Sequence, residues 1–234
     1  MRAELTKLRT RRGPLLLLIL LVAVTAAGSA MAVVDGPDPV HASLQGVLIG
    51  QAVAALAGVQ LLAGEYSTGL IQTTWLAVPR RLPVLFAKSA WLLLGVSGAA
   101  LLAVGASVLA GRLISSSYPA LTSTTVLRAA AGSVLYLSLT ALFGLGVGAL
   151  LRNAPFAAGA TLSALYVIPA IIPFFPDRDW QEALYRIGPS TAGLSIQTTA
   201  DPASLPIGPW AGLAVTAAWA LGTLASGGWL LRRR

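Results

Sequence analysis

The sequence predicts an all-α membrane protein with six transmembrane helices, and three observations carry that prediction. Charged residues make up only 10% of the 234 positions and mean hydropathy is +0.78, whereas soluble domains carry about 25% charged residues. So few charges cannot cover a water-facing surface, which argues against a soluble enzyme and against a disordered chain. Six runs reach the roughly 20 apolar residues that a helix needs to cross a bilayer core. No segment alternates with period two, which removes a β-barrel.

The six runs are Pro14–Val34, Leu44–Ala63, Val84–Gly111, Val126–Leu151, Pro155–Phe175 and Pro209–Leu231. Backbone groups in hydrocarbon must bond within their own segment, so each run is expected to be a helix. The whole chain, 1–234, reads as one transmembrane domain. The first run follows a basic stretch and ends in Ala30-Met31-Ala32, which is the pattern of a cleaved signal. Its length of about 21 residues exceeds the roughly 7–15 of a signal core, so it is read as an uncleaved span. Lys88 and Arg128 are the only charges inside the runs, each near an end. Both are expected to snorkel to the interface.

Orientation follows from the basic residues. With the N-terminus inside, twelve of the 16 Lys and Arg fall on the cytoplasmic side and four (Arg112, Arg128, Arg178 and Arg186) fall outside. That asymmetry places both termini in the cytoplasm of a multi-pass plasma-membrane protein. It also accounts for the net charge of +8 without nucleic acid.

Three segments outside the runs carry information. Met1–Arg12 sets Leu5 and Leu8 among basic residues, including Lys7, and is expected to lie as a short helix on the inner surface. In the outer loop, Trp180, Ala183, Leu184 and Ile187 follow helical spacing, with Asp179 as the expected cap and Gly188-Pro189 as the end. That helix should dip into the outer leaflet or pack on the bundle. The inner loop Gly64–Pro83 keeps Leu70, Ile71, Trp75, Leu76 and Val78 and is closed by Pro79. Such a composition fits a helix lying across the cytoplasmic face, its apolar side turned to headgroups or to a protein partner.

Several chemistries lack their residues. There are no cysteines and one histidine, His41, so disulfides, thiolate catalysis and metal clusters have no ligands. A phosphate-binding loop needs Gly-Lys-Ser/Thr, and neither Lys7 nor Lys88 follows a glycine. No acid lies mid-span for a proton-driven carrier. Gly95-Val96-Ser97-Gly98 resembles an intramembrane serine-protease motif, but Ser97 lies mid-span and His41 outside, on the order of 15 Å apart in depth. Small residues there are read as helix packing, as are Gly46-x-x-x-Gly50 and Gly144-x-Gly146-x-Gly148, within the bundle or between protomers.

The inner loop resembles the Glu-aromatic-x-x-Gly…Pro-Arg-Arg…Lys signature of ATP-binding-cassette type-2 permeases, here Glu65-Tyr66, Gly69, Pro79-Arg80-Arg81 and Lys88. Leu70 stands where that family commonly has Thr or Ile. Ala3–Thr10 is similar to its elbow helix, Leu142–Arg152 to its fourth span and inner turn, and Gly188–Gly193 to its outer Pro-Ser-x-Ala-Gly element. The resemblance implies an exporter permease subunit that is not itself an enzyme. Two six-span subunits, a second copy or a paralogue, would form the path, with ATP and Mg bound by two separate ATPase subunits. The inner loop would be the coupling helix, with the elbow helix of Leu5, Lys7 and Leu8 beside it. By resemblance Glu65 anchors the end of span two and Gly69 permits close approach to the partner. Trp75 lies on the coupling helix, Pro79 ends it, and Arg80 and Arg81 meet acids or lipid phosphate. A signalling or immunity protein without transport, or an intramembrane hydrolase, are the competing classes. The spans offer Gln51, Gln60, Tyr136, Thr140, Ser163 and Tyr166 as polar groups, either along a path for amphipathic cargo or as interhelical bonds.

Overall fold

The computed structural model describes residues 12–33, 38–67, 69–71, 81–200 and 205–232, with the side chains of Arg12 and Arg81 outside that description. The helices are α1 (Arg12–Ala32), α2 (Pro39–Ser43), α3 (Gly46–Ser67), α4 (Arg81–Ile114), α5 (Thr124–Leu151), α6 (Ala154–Leu162), α7 (Ile168–Ile171), α8 (Arg178–Ile187), α9 (Pro189–Leu194) and α10 (Pro209–Arg232). No strand occurs among the described residues. Six segments are long and apolar enough to cross a membrane: α1, α2 with α3, α4, α5, the run from α6 to Phe174, and α10. The chain is a helical multi-pass membrane protein. One end of the bundle, here the terminal face, holds the start of α1, the end of α10 and the α3–α4 and α5–α6 connections. The opposite end, the loop face, holds the start of α2, the α4–α5 connection, the start of α8 and Thr199–Ala200.

Spans two and three run longer than hydropathy alone indicates. Gly64–Ser67, expected in the inner loop, form the last turn of α3, and Arg81–Pro83 form the first turn of α4. No breaker interrupts either run, and proline is tolerated in a first turn. The second span begins at Pro39 rather than Leu44. Asp38 caps α2 by accepting from the His41 backbone N–H at 2.9 Å, and Pro39 at the first position has no N–H to lose. The fifth span is a continuous helical segment but not α-helical throughout, with a π-helical turn over Ser163–Val167. Pro169 cannot donate to the carbonyl four residues back, and a wider turn relieves the clash its ring would make there.

α5 is the most buried span and α1 the least. Glycine lets α5 and α3 touch. A Cβ at Gly144 would stand 2.2 Å from the Ala55 carbonyl oxygen, and one at Gly58 would stand 1.9 Å from that of Ala141. Gly46 and Gly50 serve the α1 contact in the same way, with a Cβ at Gly46 falling 1.9 Å from the Thr25 carbonyl oxygen. The Gly46 N–H donates to Ser29 Oγ at 3.1 Å. Gly148 packs near Val59. All four predicted packing glycines thus make contacts inside one chain.

The loop face is fastened by one carboxylate. Besides capping α2, Asp38 accepts from Thr199 Oγ1 at 2.5 Å, from the Thr199 N–H at 2.7 Å and from the Ala200 N–H at 2.9 Å. Burial pushes its pKa up, but these hydrogen bonds outweigh burial and hold it below the ordinary carboxylate value. A carboxyl whose pKa is lowered by folding stabilises the fold fully above its unfolded value, and that stabilisation is lost as pH falls through the lower folded value. Asp38→Asn is therefore expected to unfold more readily at pH 6 in detergent. It should also lose the part of the acid-induced drop in melting temperature that this carboxylate causes.

Candidate functional site

Charged and aromatic side chains knit the helix ends at the terminal face. Lys88, two turns into α4, donates to Glu65 Oε1 and to the Leu61 carbonyl oxygen of α3, each at 2.9 Å. The side chains of Lys88 and Glu65 are only 1% and 10% exposed. The expected snorkelling of Lys88 is thereby corrected: the ammonium turns inward, because an acid and a helix carbonyl at its own depth replace the water it would otherwise seek. The pair fastens the last turn of span two to the second turn of span three.

A second fastening ties spans two, four, five and six. Arg152 ends α5 in the left-handed region, at φ 54°, and its N–H caps the Gly148 carbonyl at 3.0 Å. Its guanidinium donates to the Leu230 carbonyl oxygen at 3.1 Å and lies 5.8 Å from the centre of the Tyr66 ring. The Ala154 N–H donates to Ser67 Oγ at 3.3 Å, and Asn153 caps α6.

Of the predicted coupling residues, Glu65 belongs to this cluster. Gly69 follows α3 at φ +70°, a conformation side-chain-bearing residues rarely adopt, and a Cβ there would touch nothing. Its requirement inside this chain is therefore conformational rather than steric. Leu70 is half-buried and Ile71 is buried against the bundle. Trp75, Pro79 and Arg80 lie outside the described residues, as do Leu5, Lys7 and Leu8; of Arg81 the backbone alone is described.

Midway along the bundle lies a polar centre. Tyr136, fully buried on α5, donates its hydroxyl to Gln51 Oε1 of α3. Tyr166, in the π-helical turn, donates to the Leu48 carbonyl oxygen at 2.5 Å. These three polar side chains are interhelical bonds, and Thr140 bonds within its own helix at 2.8 Å to the Tyr136 carbonyl. Gln60 and Ser163 instead face outward. Ser97 shares a 2.9 Å hydrogen bond with Ser138, which itself donates to the Val134 carbonyl, so its described partner is a packing contact on α5. Arg128 donates to the Thr198 carbonyl oxygen at 2.7 Å.

The outer Pro189–Gly193 element is driven down onto this centre. A Cβ at Gly193 would fall 2.4 Å from both the Tyr136 ring and Thr216 Oγ1, and one at Gly212 would fall 1.9 Å from the Ala192 carbonyl oxygen. The α8 cap is Asp177 rather than Asp179: the helix begins at Arg178, and Asp177 Oδ1 accepts from the Asp179 N–H at 2.9 Å. The expected end at Gly188-Pro189 is found, with α9 starting at Pro189.

Among the described residues no group of three or more His, Asp or Glu side chains comes together as a metal site. No protein-family model matches the chain, and no curated protein is significantly similar to it. The packing glycines Gly58 and Gly132 stand outside any two-glycine strip and carry no signal in the sequence, whereas Gly212 closes a Gly208-x-x-x-Gly212 strip that could have pointed to it. Lys88 as partner of Glu65 had a readable signal: opposite charges at matching depths on consecutive antiparallel spans.

Proposed function

We propose that this chain is the membrane subunit of an ATP-driven exporter, powered through the segment joining spans two and three by a separate ATPase. The observation that carries the reading is the buried Lys88–Glu65 pair. It clamps the last turn of α3 to the first turns of α4, so a push on residues 68–80 would move both helices as a unit rather than bend the loop. The Arg152 cluster extends that coupling to spans four to six. Rigid elements joined this way suit rocking between two arrangements, with nucleotide favouring one of them. The excess of Lys and Arg toward the terminal face supports placing it in the cytoplasm of the plasma membrane. The outward Gln60 and Ser163 on spans two and five support pairing with a second permease copy or a paralogue, since polar side chains in hydrocarbon usually face protein. ATP and Mg would be bound by the partner.

The test is capture from cross-linked membranes. A tagged chain should retain an ATPase with a phosphate-binding loop, and Arg80→Glu with Arg81→Glu should reduce that capture about tenfold or more. Membranes that yield the tagged chain with no ATPase would overturn the assignment.

A further inference from the structure

The segment between spans five and six folds back down the side of the bundle and returns. It leaves the loop face after Phe175, where Gln181 Nε2 of α8 donates to the Phe175 carbonyl oxygen at 2.6 Å. α8 then descends, and its last residue meets the middle of span six: Trp219 Nε1 donates to the Ile187 carbonyl oxygen at 2.8 Å. One turn higher on α10, Thr216 Oγ1 donates to the Pro189 carbonyl oxygen at 2.9 Å. The chain then climbs through α9 and is back at the loop face when Thr199 and Ala200 reach Asp38. Trp219 stands about 11 residues, or roughly 16 Å, above Leu230, whose carbonyl marks the Arg152 charge layer. Arg128 and Arg152, at the two ends of α5, lie roughly 36 Å apart along that helix. Arg186, beside Ile187, therefore sits about halfway through the apolar thickness.

α8 is not built for lipid on every side. Arg178, Glu182 and Arg186 recur at every fourth residue and form one polar flank running from the loop face to mid-membrane. Gln181, Leu184 and Tyr185 are partly buried. Glu182 and Arg186 are 57% and 55% exposed and approach only to 3.4 Å. The contrast with Lys88–Glu65 is informative: that pair has closed to 2.9 Å and is almost wholly covered. Charges removed from water close up and acquire further hydrogen bonds, and the Glu182–Arg186 pair has the loose geometry of a hydrated one. Arg186 also stands at the rim of a groove of about 530 Å³ that runs along α10 past Gly222 to Ser226.

We propose that the flank of α8 bearing Glu182 and Arg186 is the wetted wall of a water-filled vestibule that opens on the loop face and reaches about halfway through the membrane. The vestibule takes water and small hydrophilic solutes. The proposal needs only that the six helices lie in a bilayer and does not depend on an ATPase partner.

The test uses the natural absence of cysteine in the chain. Single cysteines at Glu182, Arg186, Leu221 and Asp177 are reacted with a charged, membrane-impermeant methanethiosulfonate in native membranes open at both faces. Asp177→Cys marks the loop surface, and Leu221→Cys, outward-facing on α10 at the depth of Trp219, marks lipid. Glu182→Cys and Arg186→Cys are expected to react within about tenfold of Asp177→Cys, and Leu221→Cys at least about a hundredfold more slowly. Protection of Glu182→Cys and Arg186→Cys to the level of Leu221→Cys would overturn the vestibule. Fast reaction of Leu221→Cys would overturn the depth on which it rests. Either flank position decides alone should the other variant fail to accumulate.

Discussion

Lys88→Met is expected to destabilise the protein by about 3–5 kcal/mol, the usual effect of removing one partner from a buried ion pair. Methionine fills much of the space of the lysine stem but leaves Glu65 buried with its Lys88 contact gone, and leaves the Leu61 carbonyl without the ammonium that now meets it. Glu65→Leu should harm comparably, by stranding the lysine. The double variant Glu65→Leu with Lys88→Met should be markedly milder than the sum of the two, because the desolvation of both charges disappears with their attraction. Unfolding of the four proteins of this cycle in mixed detergent micelles measures the coupling. If the two single losses add within about 0.5 kcal/mol in the double variant, the side chains do not form the pair described and the clamp at the terminal face does not exist.

The second large effect comes from adding one methyl group where two helices touch. Gly58→Ala places a Cβ 1.9 Å from the backbone oxygen of Ala141, and Gly144→Ala places one 2.2 Å from that of Ala55. Backbone cannot swing aside as a side chain can, so α3 and α5 must move apart along the most extensive helix contact in the bundle. Overpacking of this kind costs about 1–3 kcal/mol, occasionally more. Gly98→Ala, on α4 with open space around the new Cβ, is the matched control. It should gain about 0.5–1 kcal/mol, because alanine has less backbone freedom to lose on folding. The same micelle unfolding experiment reads all three. Equal effects at the three sites would mean that helix propensity, and not contact between α3 and α5, governs these glycines.

Much of the architecture was legible before any coordinates. The six spans emerge within a few residues of their hydropathic limits, and the outer-loop helix ends at Gly188 as expected. The differences have a common form. The α3 and α4 helices continue beyond their apolar cores, because a helix stops where its backbone finds a better partner and not where hydropathy falls. Asp38 lies in no local pattern that marks it out, yet it holds Thr199 and Ala200 from far along the chain. Lys88 and Arg128 read alike in sequence; one found a carboxylate on a neighbouring helix, the other a loop carbonyl.

Taken alone, the sequence determined that this is a helical membrane protein, how many times it crosses, which connections are charged and which residues are small enough for helices to meet. Those are local properties: apolar length, charge count and side-chain volume add up along the chain and need no neighbour to define them. Tertiary structure decided which glycines touch which helix, that Glu65 closes on Lys88 and that a charged helix is drawn down to the middle of span six. Each of these depends on the rotation and register of segments far apart in sequence, and the simultaneous packing of all the helices sets that register.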